Sequence, residues 1–233
     1  EAAGAPVVGR PYDDAMTQGA VPAPRQHREP PPRELLLAAG TVALYLFGAL
    51  WSRDLGIGGP VLIWFPPAAL GITALYLRPR LLPLLVATDI VSTALVMGYA
   101  DEFGAVWAVV NSVVIVGAYG VAGAVLRRIR LDPQLRSPDH VLRLAAGAMV
   151  VGPLLAAISG VAVQAAAGLV EWSDYLRSVG IFLVGDAVAV ACLAPAALLV
   201  GCAVLAGEAP PLADREERSN LVLGVAYLVP AVV

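Results

Sequence analysis

The sequence predicts an all-α, polytopic transmembrane helix bundle of six full spans with the start of a seventh, on three observations. Of the 233 residues 59% are hydrophobic and only 14% charged, where a soluble domain carries about 25% charged residues. The mean hydropathy is +0.78. The charges fall in short clusters, and the runs between them approach the roughly 20 residues that cross a bilayer. Buried strands of a soluble α/β protein would give apolar runs of only about 4–8 residues.

Residues 1–33 come first, rich in Pro and Ala and ending Glu29-Pro30-Pro31-Pro32-Arg33. They lack apolar periodicity and read as a disordered tail. The spans follow at 35–51, 61–77, 81–97, 105–126, 144–169 and 179–205. In hydrocarbon every backbone polar group must pair within the protein, which favours helices throughout. Leu221 opens a 13-residue apolar run to Val233, read as an incomplete seventh span. Residues 34–233 are therefore expected to form one membrane domain, truncated at its C-terminal edge. The N-terminal stretch has no signal-peptide core.

Orientation comes from the basic residues, all 15 of which are Arg. The tail carries Arg10, Arg25, Arg28 and Arg33. The second and fourth spans are followed by Arg78 and Arg80, and by Arg127, Arg128, Arg130, Arg136 and Arg143. Arg215 and Arg218 follow the sixth. Only Arg53 and Arg177 fall in the alternate loops. Thirteen against two places the N-terminus in the cytoplasm by the positive-inside rule. Trp51, Trp64, Trp107 and Trp172, with Tyr99 and Tyr175, fall toward the opposite side, as one aromatic interface belt would.

Two carboxylates interrupt the apolar spans, Asp89 in the third and Asp186 in the sixth. Each costs about 2.5–3.5 kcal/mol to insert, so each should face the bundle interior. Ser92 and Thr93, three and four residues past Asp89, extend a polar stripe on one helix face. Asn111 and Gln164 would complete a buried network. Two readings apply: a ligand, ion or proton site near the midplane, or interhelical hydrogen bonds worth about 0.6–2 kcal/mol each. Pro66 and Pro67, after Trp64-Phe65, are expected to break the outer third of span two, as cavity-lining helix breaks do. A fixed kink in a packed bundle is the plainer alternative. Pro153 and Pro195 are expected to kink spans five and six. Gly160, Gln164 and Gly168 recur every fourth residue and predict a close-packed face. Asp89 and Asp186 also hold comparable places if spans one to three repeat, inverted, as four to six.

Other chemistry finds little support. No basic stripe with interleaved aromatics points to nucleic acid. His27 and His140 lie in the tail and a loop, and no metal cluster, nucleophile elbow or phosphate loop is evident. Cys192 and Cys202 are ten residues apart in one helix, about 15 Å, beyond disulfide reach. No catalytic residue, metal or cofactor is expected in this chain.

Phe182-Leu183-Val184-Gly185-Asp186, with Pro195-Ala196-Ala197-Leu198-Leu199 after it, resembles the last motif of the bacterial membrane-associated sensor domains of the first type, the MASE family. Trp64-Phe65-Pro66-Pro67, Gly71 and the following Arg78-Pro79-Arg80 and Pro83 are similar to that family's Trp/Pro/Gly span and basic turn. The chain departs from the pattern in its single aromatic before Gly185-Asp186 and in Ala189, where the family has Gly. The resemblance implies a multi-pass sensory module of the inner membrane that regulates a cytoplasmic output. Such outputs are histidine kinases of two-component systems, enzymes that make or degrade cyclic-di-GMP, and phosphatases. The bilayer, a homodimeric full-length partner and an unknown small ligand or membrane-state stimulus are the expected partners. The expected responsive centre comprises Asp186, Asp89, Gly185, Trp64, Pro66, Pro67, Asn111 and Gln164. A small transporter or channel, and an anchor that only dimerises an enzyme, are the competing classes.

Overall fold

The structure is a computed structural model that describes residues 32–54, 65–96 and 100–208. Among these residues it contains helices and turns and no strand. Helix α1 spans Pro32–Asp54, α2 Pro66–Leu77 and α3 Leu82–Val91, the last prolonged by π-helical turns over Ser92–Val96. Helix α4 covers Ala100–Arg128 with a bend at Gly104, α5 Pro138–Ala166 and α6 Tyr175–Ala206.

Four of these are long and apolar enough to cross a membrane: α1, α4 from Gly104, α5, and α6 with the turn at Trp172–Asp174. The expectation of six full spans is met only in part. Helix α2 has 12 residues, about 18 Å at 1.5 Å per residue, against a hydrocarbon core of about 30 Å. Helix α3 has ten, with five more in the π turns. The reason lies in the prolines. Pro66 and Pro67 occupy the first helical positions of α2, where a missing N–H costs nothing. They open the described helix; residues 61–64 of the expected span lie outside the described residues. Pro79 likewise opens the short turn between α2 and α3. The run beginning at Leu221, Trp64 and most of the 1–33 tail lie outside the described residues. Pro32, expected in the tail, instead begins α1.

Large apolar side chains point outward: Leu36, Leu44, Phe47, Val106, Leu142, Val184 and Leu176 are all exposed. The buried positions are rich in alanine, among them Ala68, Ala69, Ala122, Ala156, Ala157 and Ala194. Alanines among the buried positions let helices pack closely in lipid, around fully buried larger side chains such as Tyr45, Tyr119, Leu75 and Leu126. Helix α2 is central and packs on α1, α4 and α6, while α4 also packs on α3 and α5. At Gly123 the approach of α4 to α2 leaves no room for a side chain: a Cβ there would sit 2.9 Å from the Tyr76 backbone nitrogen.

Successive helices alternate in direction, and arginines tie their ends together on one side. Arg33 at the start of α1 donates to the Ala206 carbonyl at the end of α6, at 2.8 Å. Arg78 pairs with Glu34. Arg127 reaches the Leu75 and Tyr76 carbonyls at the end of α2. Arg143 donates to the Ile129 carbonyl just past α4. Each carbonyl-bound guanidinium satisfies an acceptor that a helix terminus leaves unpaired, where the helix dipole favours a cation.

The other expected irregularities take different forms. Pro153 follows π-helical turns at Ala145–Val151 inside α5. The wider turn accommodates a ring that lacks an N–H and would crowd the preceding turn. Pro195 sits within an α6 that continues to Ala206. Gly168 has φ +80° beyond the end of α5, so it terminates the helix and does not extend the Gly160–Gln164 face. Gly160 does mark a close approach, with Ile115 of α4 3.1 Å from where its Cβ would be.

Replacing Gly123 with Val is expected to destabilise the detergent-solubilised protein by about 1–3 kcal/mol, the usual cost of overpacking. A chemical or thermal unfolding curve measures this. The same change at Gly117, where a Cβ would meet nothing within 4 Å, is expected to have a much smaller effect.

Candidate functional site

Asp89 is carried on α3 with Thr88, Ser92 and Thr93, and all four are buried. The spacing seen in the sequence thus does put a polar stripe into the interior. Thr88 bonds its own helix, donating to the Leu84 carbonyl at 2.8 Å. Asp186 is equally enclosed, 1% exposed, on α6 beside buried Gly185.

Each carboxyl receives one tyrosine hydroxyl from another helix. Tyr45 of α1 donates to Asp89 Oδ1 at 2.7 Å. Tyr119 of α4 donates to Asp186 Oδ2 at 2.9 Å. Both tyrosines are fully buried. The Tyr45 ring meets Phe65 edge to face, centroids 6.5 Å apart. The Tyr119 ring lies against α2 at Gly71, where a Cβ would be 3.0 Å from Cδ2. The two pairs share one construction: a tyrosine on the first helix of a three-helix set bonds an aspartate on the third. They are neighbours, each within electrostatic reach of the other.

Three further buried oxygens have no hydrogen-bond partner among the described residues: Ser92 Oγ, Asn111 Oδ1 and Gln164 Oε1. Ser112 of α4 faces Asp89. Asn111 Oδ1 points to the α5 contact at Gly160, and Gln164 follows one turn later. The two Tyr–Asp pairs and Ser112 thus draw on α1, α3, α4 and α6, while Asn111 sits at the α4–α5 contact. Unpaired buried acceptors cost roughly 1–3 kcal/mol each, and bound water or a small hydrogen-bond donor would relieve them. Among the described residues no three His, Cys, Asp or Glu side chains gather as a metal site.

Of the expected site residues, Asp89, Asp186, Gly185, Asn111 and Gln164 are all buried. Pro66 and Pro67 are buried too, but at the α1–α2 contact, where Pro66 packs on Gly48. Trp64 lies outside the described residues. Sequence reasoning missed Tyr45, Tyr119 and Ser112. The available signal was the reciprocal one: a buried acid needs a donor, and few donors lie mid-span.

A protein-family model described as MASE1 matches residues 19–203. The chain belongs to the MASE1 family. MASE1 is a membrane sensory domain and not a catalytic one. Its span covers every described helix through most of α6, and both Tyr–Asp pairs fall inside it. No curated protein and no solved structure matches the chain.

Tyr45→Phe and Tyr119→Phe are each expected to lower stability by about 0.5–1.5 kcal/mol, the net worth of a hydrogen bond. A double-mutant cycle of Tyr119→Phe with Asp186→Asn should show coupling of about 0.5–2 kcal/mol. The cycle of Tyr119→Phe with Asp89→Asn should show less. Unfolding in detergent measures both.

Proposed function

We propose that this MASE1 domain is a sensory input module, multi-pass in the inner membrane with its N-terminus in the cytoplasm. In this reading the chain crosses the bilayer six times and a seventh span begins near Leu221. The module regulates a C-terminal cytoplasmic output, either a two-component histidine kinase or a cyclic-di-GMP enzyme, within a homodimeric full-length protein. The observation that carries the reading is the paired Tyr45–Asp89 and Tyr119–Asp186 bonds. Each joins two helices that are distant in sequence, in a medium where polar contacts have few alternatives. A stimulus that competes for either bond, or is held by the unpartnered oxygens beside it, would favour one packing of the bundle over another. Helix shifts of about 1–2 Å are sufficient for such switching. The arginine-rich helix ends support the orientation, since thirteen of 15 arginines fall on that side.

A transporter would also use intramembrane acids. The family match favours the sensor, and flux in liposomes separates the two.

In the full-length protein, Asp89→Asn and Asp186→Asn are each expected to alter output activity, either its basal level or its response to stimulus. Output is read as autophosphorylation or cyclic-di-GMP turnover in membranes. Wild-type basal activity and response in both variants, at wild-type expression, would sink the assignment of this centre. For orientation, a cysteine at Arg136 is expected to react with an impermeant maleimide only after the membrane is opened. A cysteine at Trp172 should react in intact spheroplasts.

A further inference from the structure

The two buried carboxyls share an interior without a basic side chain. Asp89 and Asp186 lie within electrostatic reach of each other, and no Arg or His is among the groups that act on either. A carboxylate held away from water needs an opposite charge or a full set of donors. Asp186 takes the Tyr119 hydroxyl. Around Asp89 the oxygens are more numerous. Ser92 lies three residues further along α3 and so on the same helix face, and Ser112 reaches the carboxyl from α4. All three residues are buried, and Ser92 Oγ has no hydrogen-bond partner among the described residues. The π-helical turns that Ser92 begins pack on α1 and α4, the helices that supply Tyr45 and Ser112. The three oxygen-bearing side chains therefore gather where α1, α3 and α4 meet.

We infer that Asp89, Ser92 and Ser112 form a binding site for a sodium ion. The donor set is one carboxyl and two hydroxyls, all hard oxygens of the kind that bind hard cations. A hydroxyl that donates to a carboxylate keeps lone pairs to offer a cation, so the contact between Ser112 and Asp89 is compatible with a shared ion. Charge favours a monovalent ion, because a single positive charge balances Asp89 while Asp186 keeps its own phenol partner. Calcium takes about six to eight oxygens and magnesium retains several waters, both more than this enclosed set supplies. Sodium, the smaller of the two common alkali ions, suits a space closed by three packed helices. The place fits as well. Membrane helices bind sodium where their regular winding is interrupted, and here π-helical turns start at Ser92 itself, a form of turn frequent at functional sites. Tyr45 holds Asp89 Oδ1 at 2.7 Å and acts as a positioning residue, orienting the carboxyl toward the hydroxyls. A bound ion would join α3 to α4 beside the bond that joins α3 to α1.

This gives the Asp89 half of the proposed centre a ligand, and it rests on that reading only for its effect on output. Binding is tested without any output. The full chain, purified in detergent, is heated in sodium, potassium or N-methyl-glucamine chloride at one ionic strength, with tryptophan fluorescence reporting unfolding. Sodium is expected to raise the midpoint saturably, as a ligand of the folded state does, and to do so more than potassium or N-methyl-glucamine. Asp89→Asn should abolish the rise. Ser92→Ala, Ser112→Ala and Tyr45→Phe should each increase the half-saturating sodium concentration by about tenfold or more, the scale on which lost support weakens a metal site. Asn111→Ala, at the α4–α5 contact, should leave it unchanged. Equilibrium binding of radioactive sodium reads the same site where a variant is too unstable to melt cleanly. Three results overturn the inference: a midpoint that rises no more in sodium than in the other two salts; sodium binding of wild-type strength in Asp89→Asn; or no saturable sodium binding to the wild-type chain, which would leave these oxygens to water. Sodium binding that Asp89→Asn removes while output stays unaltered supports the site and sinks only its part in sensing.

Discussion

The need to pair polar groups without water governs this bundle. A carboxyl placed mid-helix in hydrocarbon has to find its donor within the protein, and the chain solves this twice with the same chemistry. A tyrosine hydroxyl meets an aspartate, once between α1 and α3 and once between α4 and α6. Each bond fixes the rotation of two helices about their axes, because only one face of each can present the group. Helix α2, which carries no charged residue between Pro66 and Leu77, can then pack against both sets through alanines and Gly71. Its own fit is steric: Tyr119 lies on Gly71, and the α2 backbone lies on Gly123.

Helix ends pose the same problem in another form. Their free carbonyls need partners, and arginine supplies them on one side of the bundle through Arg33, Arg127 and Arg143. The arginine bias that gives the sequence its direction is therefore also structural. These residues join the end of one helix to its neighbour. Exposed ion pairs such as Arg78–Glu34 add little energy, about 0–1 kcal/mol, and serve mainly to set position.

The features legible in the sequence were those with a high physical cost. Asp89, Asp186, Asn111 and Gln164 stand out in apolar runs because burying them is expensive, and all four are interior. Their partners were not legible. A tyrosine within an apolar helix has several ordinary roles, and nothing local distinguishes Tyr45 from the interfacial Tyr175, whose hydroxyl bonds the Ile158 carbonyl. Helix limits were obscured for a related reason. Hydropathy is continuous across Trp64–Ala68, so it cannot show that Pro66 and Pro67 begin a helix. Gly168 fits a four-residue pattern with Gly160 and Gln164, yet its positive φ makes it a stop. Spacing specifies a face only while the helix lasts.

The π-helical turns bear on how such a bundle could move. One set, Ser92–Val96, directly follows Asp89; the other, Ala145–Val151, lies in α5 where it packs on α4 and α6. Turns of this kind are rare and widen the helix locally, so they can revert to α geometry by passing one residue of slack along the axis. At Ser92 that change would rotate the polar stripe relative to Tyr45. At Ala145–Val151 it would shift α5 against the helix that carries Asp186. In the proposed sensor Asp89 thus lies next to one backbone segment able to yield, and the other begins two residues past Arg143, one of the arginine ties. Under that proposal, motion would be carried along α6 toward Ala206. There the bond to Arg33 makes any axial shift of α6 also a shift of α1.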